Sequence, residues 1–432
     1  MQLSPKKLRR QADVLIQILR DTVAAVEAGS PADATLASLY RQHPEFGSRD
    51  RRLFSETIFA YFRWKGWLTA SLAPDLESAC VLAHALEALE INDAVRLLAE
   101  TTRLATVPLE PLGALDLPAK AAGLGRMTGT PPPSPLSLVP SWVPEMLRIP
   151  PETETAAHVL RSVAAFQTPP PTWLRARPDH KVRVAAALRS AGADPQEPDR
   201  LPDALSVPRG VNLRALSPQL RGIMEIQDLA SQATGLICAP RPGERWWDAC
   251  CGSGGKTLHL IDLMQGNGRV LATDIRPGIL ESLERRLREA QISGVRTKLW
   301  DGLKDPLPHE LFDGILVDAP CSGLGTWHRN PDARWRTSRD EVERLAVLQA
   351  ELLAKCAQRV RPGGVLVYAT CTLTQLENEG VLNPFLAATP EFSLATFPHP
   401  LDGSPCTGQA WIYPWQASCN GMFVARLVRC TI

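Results

Sequence analysis

The chain has 432 residues, 44% of them hydrophobic and 22% charged, with a formal net charge of +1. Such a length exceeds one ordinary core, so two or three globular domains are expected, and the near-neutral balance excludes a global basic field. No apolar run reaches the length of a membrane span. The ten cysteines are scattered and form no C-x-x-C pair, which argues against a zinc site or a disulfide scaffold and for reduced thiols in the cytoplasm.

The first stretch, MQLSPKKLRRQADVLIQILR, is basic, and its apolar residues are interrupted by Asp13 and Gln17 with no small-residue cleavage site. It reads as a helix of the folded protein and not as a signal peptide. Leu15, Ile18, Leu19, Thr22 and Val26 recur at helical spacing, and a second helix is predicted from Ser48, burying Phe54, Ile58 and Phe62. Residues 1–130 are therefore expected to be all helical. The prolines of TGTPPPSPLSLVP end that region. Residues 141–235 read as a small α+β module. PPPTWLRAR leads into a strand, and DHKVRVAAALRSAG is a helix closed by Gly192.

Within residues 236–432, RWWDAC, GRVLATD, VRTKLWD, FDGILVDAP and GGVLVYATC are short apolar runs separated by helical stretches. The clearest helix is expected over residues 339–360, with Val342, Leu345, Leu348, Leu352, Cys356 and Val360 in one stripe. This alternation predicts a parallel, doubly wound α/β sheet of Rossmann-like type. Ligands of such sheets sit beyond the carboxyl ends of the strands, so the acids and thiols at those ends are expected to share one crevice.

DACCGSGGKT, after the first of these strands, presents Cys250, Cys251, Gly252, Ser253, Gly254, Gly255 and Lys256. A phosphate-binding P-loop requires glycine where Cys250 stands, and a dinucleotide fingerprint lacks its third glycine at Thr257. That reading is weak, and S-adenosyl-L-methionine is a third candidate. It needs close backbone approach without a phosphate cradle, and Asp274 at the next strand end suits its ribose hydroxyls. Asp301 suits its adenine amino group, and Asp318 ends the following strand. Any one of these aspartates is alternatively the cap of its own turn.

Cys321 and Cys371 fall at the ends of the last two strands. Thr374-x-x-Glu377 reads as a capping box, which predicts a helix starting just after Cys371 whose N-terminus favours a thiolate. A thiolate added to carbon 6 of a pyrimidine makes carbon 5 able to accept a methyl group, and a second thiol can assist release. Farther on, WHRNPDARWRTSR places Trp327, Arg329, Arg334 and Trp335 together, a combination suited to stacking bases beside phosphate contacts.

DACCGSGGKT, VDAPCSGLGTWHRNPDARW and YATCTLTQLENE together resemble the motifs of the RNA cytosine-C5 methyltransferase family, the Sun or RsmB-like group. Upstream, GSRDRRLFSETIFAYFRW resembles the NusB-like helical domain of its bacterial members, and PPTWLRAR with GIMEIQDLASQ resembles their small RNA-contacting module. The resemblance implies that Cys371 is the nucleophile and Cys321 assists release. It implies that Asp318 meets the cytosine amino edge or the cofactor, and that Lys256 orients the base or the methionine carboxylate. The loop from Cys250 to Lys256, with Asp274, Asp301 and Asp318, would bind S-adenosyl-L-methionine. It further implies an RNA substrate, 16S rRNA first, with no metal, no membrane and a monomeric state. Alternatives are a tRNA cytosine-C5 methyltransferase, a non-catalytic RNA-binding assembly factor, and a small-molecule methyltransferase. The loop departs from the family's usual C-A-A-P-G-G-K, which leaves Cys250 as a small core residue.

Overall fold

The computed structural model describes residues 4–72, 75–151 and 153–431. The chain condenses into two compact units. One is Met1–Pro169 with Trp327–Ser338, and the other is Pro170–Thr326 with Arg339–Ile432. The chain thus leaves the second unit after Thr326 and re-enters it at Arg339.

The first unit is helical. Its main helices are Pro5–Glu27, Ala32–Gln42, Ser48–Leu72, Leu76–Glu87, Asp93–Ala99, Leu117–Thr128 and Thr155–Phe166. The first buries Leu15, Ile18, Leu19, Thr22 and Val26, the face its spacing predicts. The third starts at Ser48 and buries Phe54, Ile58 and Phe62. Local chemistry sets several ends. Asp75, Asn92 and Asp116 accept backbone N–H groups of their first turns, and Gly129, at φ 70°, closes the helix that Asp116 opens.

The segment Trp327–Ser338 completes this core. Trp327 is fully buried, edge-on to Trp142 and Phe166. Arg334 is equally buried, and its guanidinium donates to the carbonyls of Leu138 at 3.0 Å and Phe166 at 2.9 Å. Those contacts carry the helical unit through to residue 169, past the proline stretch at which the sequence suggested a boundary.

The second unit opens with β1 (Thr172–Ala176), β2 (Ala204–Val207) and β3 (Met224–Ile226), an antiparallel sheet in the order β2-β1-β3. The helix Lys181–Ser190 packs Val184, Ala185 and Leu188 against its core, and Gly192 follows at φ 78°. From this sheet Arg175 and Arg177 reach the next helical layer. Arg175 Nη1 donates to Asp262 Oδ2 at 2.6 Å, and Arg177 Nε donates to Asp262 Oδ1 at 3.0 Å. Both Arg175 and Asp262 are buried, so neither charge is left unpaired.

The remainder is a twisted sheet with helical cover. β4 (Arg245–Asp248), β5 (Arg269–Asp274), β6 (Val295–Leu299), β7 (Phe312–Asp318) and β8 (Val360–Thr370) are its parallel strands, and the five apolar runs supply them. Three short strands follow: β9 (Phe392–Leu394), β10 (Phe397–Pro398) and β11 (Pro405–Cys406). Then come β12 (Gln409–Ile412) and β13 (Met422–Arg429). The large sheet runs β12-β13-β8-β7-β4-β5-β6, with β9 beside β13 and β13 antiparallel to β8. The order reverses between β4 and β7, so a crevice opens beyond their carboxyl ends. The helix Arg339–Ala357 covers one face with Val342, Leu345, Leu352 and Cys356. Val360, the last member of the expected stripe, instead begins β8.

Candidate active site

The loop after β4 turns sharply into the helix Gly255–Leu263. Gly252 stands at φ 51° and Gly254 at φ 85°, conformations that a side chain disfavours. A Cβ on Gly254 would also lie 2.2 Å from Leu283, so this glycine lets the loop lie against the helix Pro277–Glu289. Ser253 is exposed, and its carbonyl accepts from Arg286. Cys251 packs into the apolar cluster of Leu258, Leu280 and Leu283. Cys250 is half-buried between the sheet core and the cleft beyond the strand ends, and burial pushes its thiol well above the usual range.

A cleft of about 620 Å³ lies beyond the strand ends, and Gly252, Asp274, Asp301, Asp318 and Cys321 all line it. The aspartates expected to converge do so. Asp274 accepts the Gly252 N–H at 3.0 Å, which ties the second strand end to the glycine loop. Its two oxygens also accept from Arg276, Nε at 2.9 Å and Nη2 at 3.0 Å. Burial alone would raise the Asp274 carboxyl, but those hydrogen bonds outweigh it and hold it below the usual range. Asp301 Oδ1 accepts the N–H groups of Leu303, Lys304 and Asp305, so it caps its own turn while facing the cleft.

At the switch point, Lys256 Nζ donates to Asp318 Oδ2 at 2.7 Å. Burial disfavours this ammonium. The charge and hydrogen bond of Asp318, with Cys371 adding to them, outweigh burial and hold Lys256 above the ordinary lysine value. Because β7 and β8 are neighbours, their following loops bring Cys321 Sγ within 3.3 Å of Cys371 Sγ. The Cys321 thiol is held far above the usual range, first by that hydrogen bond, then by burial and by the negative charges of Cys371 and Glu377.

Two expectations change here. The helix predicted directly after Cys371 is absent: residues 371–374 are irregular, 375–378 form a turn, and the next helix is Glu379–Ala388. The Thr374–Glu377 pair does bond, Oγ1 to Oε2 at 2.7 Å, but the Glu377 side chain turns to the loop after β7 instead of capping a helix. No helix of the described residues therefore starts at Cys371, and the charge of Lys256 is coupled to it. The second change concerns the tryptophan–arginine run. Trp327 and Arg334 are fully buried in the helical unit and do not present themselves to RNA. Trp335 Nε1 donates to the Phe62 carbonyl at 2.6 Å, and burial pushes Arg334 down to about 9. Arg329 is half-buried. A run that looks like a nucleic-acid contact is here the clasp that holds an inserted segment.

Other residues of the site carried weaker signals. Ile275 is 62% exposed beside Asp274, an apolar side chain facing the cleft. Leu348 and Leu352 line the same cleft from the helical stripe that the sequence assigned to core alone. Asp248, fully buried at the end of β4, accepts from Thr257 Oγ1 at 2.6 Å and so fixes the start of the loop's helix.

Residues 235–428 match the model of the 16S rRNA methyltransferase RsmB/F family. This segment of the chain is therefore similar to the methyltransferase domain of the RsmB/F family. It is 34% identical, over 67% of its length, to a probable ribosomal RNA small subunit methyltransferase B of Synechocystis sp., and it spans 66% of that relative. It is 32% identical over 60% of its length to ribosomal RNA small subunit methyltransferase B of Klebsiella pneumoniae, of which it spans 60%. The fold of the solved structure of PH0851 covers 99% of this chain and 99% of its own, with a TM-score of 0.74 and 24% identity. A methyltransferase homolog from Pyrococcus horikoshii covers 63% of this chain and 90% of its own, with a TM-score of 0.54 and 25% identity.

The cleft suits the cofactor that the RsmB/F match implies. S-adenosyl-L-methionine carries a cationic sulfonium, ribose hydroxyls and an adenine, and no phosphate. Asp274, Asp301 and Asp318 offer acceptors to such a molecule, with Ile275, Trp300 and Leu303 as apolar wall. A pyrophosphate would meet three carboxylates there, while Lys256 is already paired. Asp274, whose oxygens accept from the exposed guanidinium of Arg276, is the acceptor that would meet the ribose hydroxyls.

Proposed function

We propose that this protein transfers a methyl group from S-adenosyl-L-methionine to carbon 5 of a cytosine in RNA, with 16S rRNA as substrate, in the cytoplasm. The observation that carries the reading is the contact of Cys321 and Cys371 at 3.3 Å, at two adjacent strand ends beside the Lys256–Asp318 pair and the acid-lined cleft. A dead scaffold has no need of two thiols so placed, and a small-molecule enzyme has no use for the helical unit.

Cys371 is the nucleophile. Its thiolate bonds to carbon 6 of a cytosine turned out of its strand, which makes carbon 5 electron-rich. The cofactor supplies the methyl group as an electrophile on its sulfonium. Asp318 accepts from the cytosine amino group, and Lys256, paired with it, holds it in place. Cys321 acts last. While Cys371 is a thiolate, the hydrogen bond between the two sulfurs keeps Cys321 protonated. Alkylation of Cys371 removes that partner, and Cys321 ionises by giving its proton to water. It then takes the proton from carbon 5, the carbon 6–sulfur bond breaks, the ring double bond returns, and Cys371 is again a thiolate. The net products are methylated base, demethylated cofactor and one proton.

Incubation with 16S rRNA, a tRNA pool and labelled cofactor tests this. Cys371→Ala abolishes transfer by a factor of about 10³ or more, whereas Cys321→Ala accumulates a covalent protein–RNA adduct that survives denaturing gels. An adduct in Cys371→Ala and none in Cys321→Ala reverses the two roles. Methylation of tRNA but not of rRNA moves the substrate to the alternative class.

A further inference from the structure

Glu377 is fully buried, yet among the described residues none of its side-chain hydrogen-bond partners is cationic. A buried carboxylate without a counter-charge is costly unless several donors converge on it. Four do. Oε1 accepts the Ser322 N–H at 2.8 Å and Gln349 Nε2 at 3.0 Å. Oε2 accepts Ser322 Oγ at 2.5 Å and Thr374 Oγ1 at 2.7 Å. These donors come from the loop after β7, the helix Arg339–Ala357 and the turn after β8. Gln349 Nε2 also donates to the Pro320 carbonyl at 2.9 Å. Cys321 is therefore gripped on both sides, through the carbonyl of the preceding residue and the amide of the following one. On the other strand, three residues before Cys371, Tyr368 Oη donates to the Glu377 carbonyl at 2.6 Å and lies 3.1 Å from Gln349 Oε1.

We propose that Glu377 is a positioning residue of the thiol pair: its buried carboxylate draws the two strand-end loops together and sets the distance and facing of Cys321 against Cys371. Glu377 touches neither sulfur through a hydrogen bond and acts through Ser322, Thr374 and Gln349. Its charge, enclosed where water cannot screen it, also favours a neutral Cys321. The consequence for turnover rests on the methyl-transfer reading above, but the consequence for the thiols does not.

The test is the pH dependence of alkylation of Cys321 and Cys371 by iodoacetamide, read separately by mass spectrometry on the full chain without RNA, in wild type, Glu377→Gln and Glu377→Asp. In Glu377→Gln the Cys321 profile moves to lower pH, while affinity for S-adenosylhomocysteine stays within about twofold and methyl transfer falls about tenfold or more. Glu377→Asp keeps the charge but shortens the reach, so it restores the Cys321 profile more than it restores transfer. Should Glu377→Gln fail to fold, Ser322→Ala removes one donor alone and gives a smaller shift in the same direction. Unchanged alkylation profiles for both cysteines overturn the proposal. So does a loss of transfer that only tracks lost cofactor affinity. If wild-type protein methylates no RNA while the Cys321 profile still shifts, the functional reading fails and the positioning role stands.

Discussion

Asp248 shows how one residue can couple the site to pH. It is fully buried at the end of β4, with Oδ2 accepting from Thr257 and Oδ1 without a hydrogen-bond partner. Burial, with Asp318 adding to it, raises its carboxyl from 3.8 to about 7. Below about pH 4 folded and unfolded chains are both protonated there. Between that pH and about 7 the folded chain holds a proton that the unfolded chain has lost, so the contribution of Asp248 to stability falls as pH rises through this window. Asp248→Asn keeps an acceptor for Thr257 and cannot ionise. The variant is expected to gain on wild type by about 2 kcal/mol between pH 5.5 and 7, measured as the difference between their unfolding free energies. A constant difference across that range contradicts the assignment. Asp248 also illustrates what a string of letters conceals. DAC reads as a strand end, but the burial that drives the shift depends on packing from other strands.

At the scale of elements, β7 and β8 and the loops that follow them decide the chemistry. Beside the Glu377 cluster, a backbone link joins them: the Gly325 N–H donates to the Cys371 carbonyl at 3.0 Å, and the Gly325 carbonyl accepts from the Gly421 N–H at 2.8 Å. A Cβ on Gly325 would stand 2.1 Å from the Gly421 carbonyl oxygen, a backbone atom that cannot step aside cheaply. Gly325→Ala is therefore expected to cost about 1–3 kcal/mol of stability and to separate the sulfurs. Disulfide formation between Cys321 and Cys371 under a mild oxidant, followed by mass spectrometry, should slow markedly relative to wild type; an unchanged rate would mean the loops absorb the methyl group. The strands themselves were legible, since each apolar run ends at an acid or thiol. The turn after Cys371 was misread because Thr374-x-x-Glu377 fits a helix cap locally, while the donors that claim Glu377 come from Ser322 and Gln349, far away in sequence.

At the scale of the whole molecule, two separately cored units predict separate unfolding. Urea denaturation is expected to show two transitions. S-adenosylhomocysteine at about one hundred times its Kd should raise by about 2.7 kcal/mol only the transition of the unit that contains the cleft. One ligand-sensitive transition for the entire chain would mean that the units unfold as one. The small β2-β1-β3 sheet is expected to melt with the cleft unit, because Arg175 and Arg177 are paired with Asp262 beneath it. The sequence suggested a separate module there, since composition marks a change of pattern but not a buried ion pair across it.

Periodicity and local turn chemistry were enough to predict the helical start, the five parallel strands, the glycine turn and the gathering of Asp274, Asp301, Asp318, Cys321 and Cys371 at one edge. These follow from backbone rules that act over a few residues and from the fixed polarity of a parallel sheet. Tertiary structure alone decided that Trp327 and Arg334 are core residues, that Glu377 clamps two loops, and that the sulfurs touch. Burial and long-range hydrogen bonds are properties of neighbours brought together by folding, and a tryptophan or an arginine has the same letter whether it faces water or a ring of carbonyls.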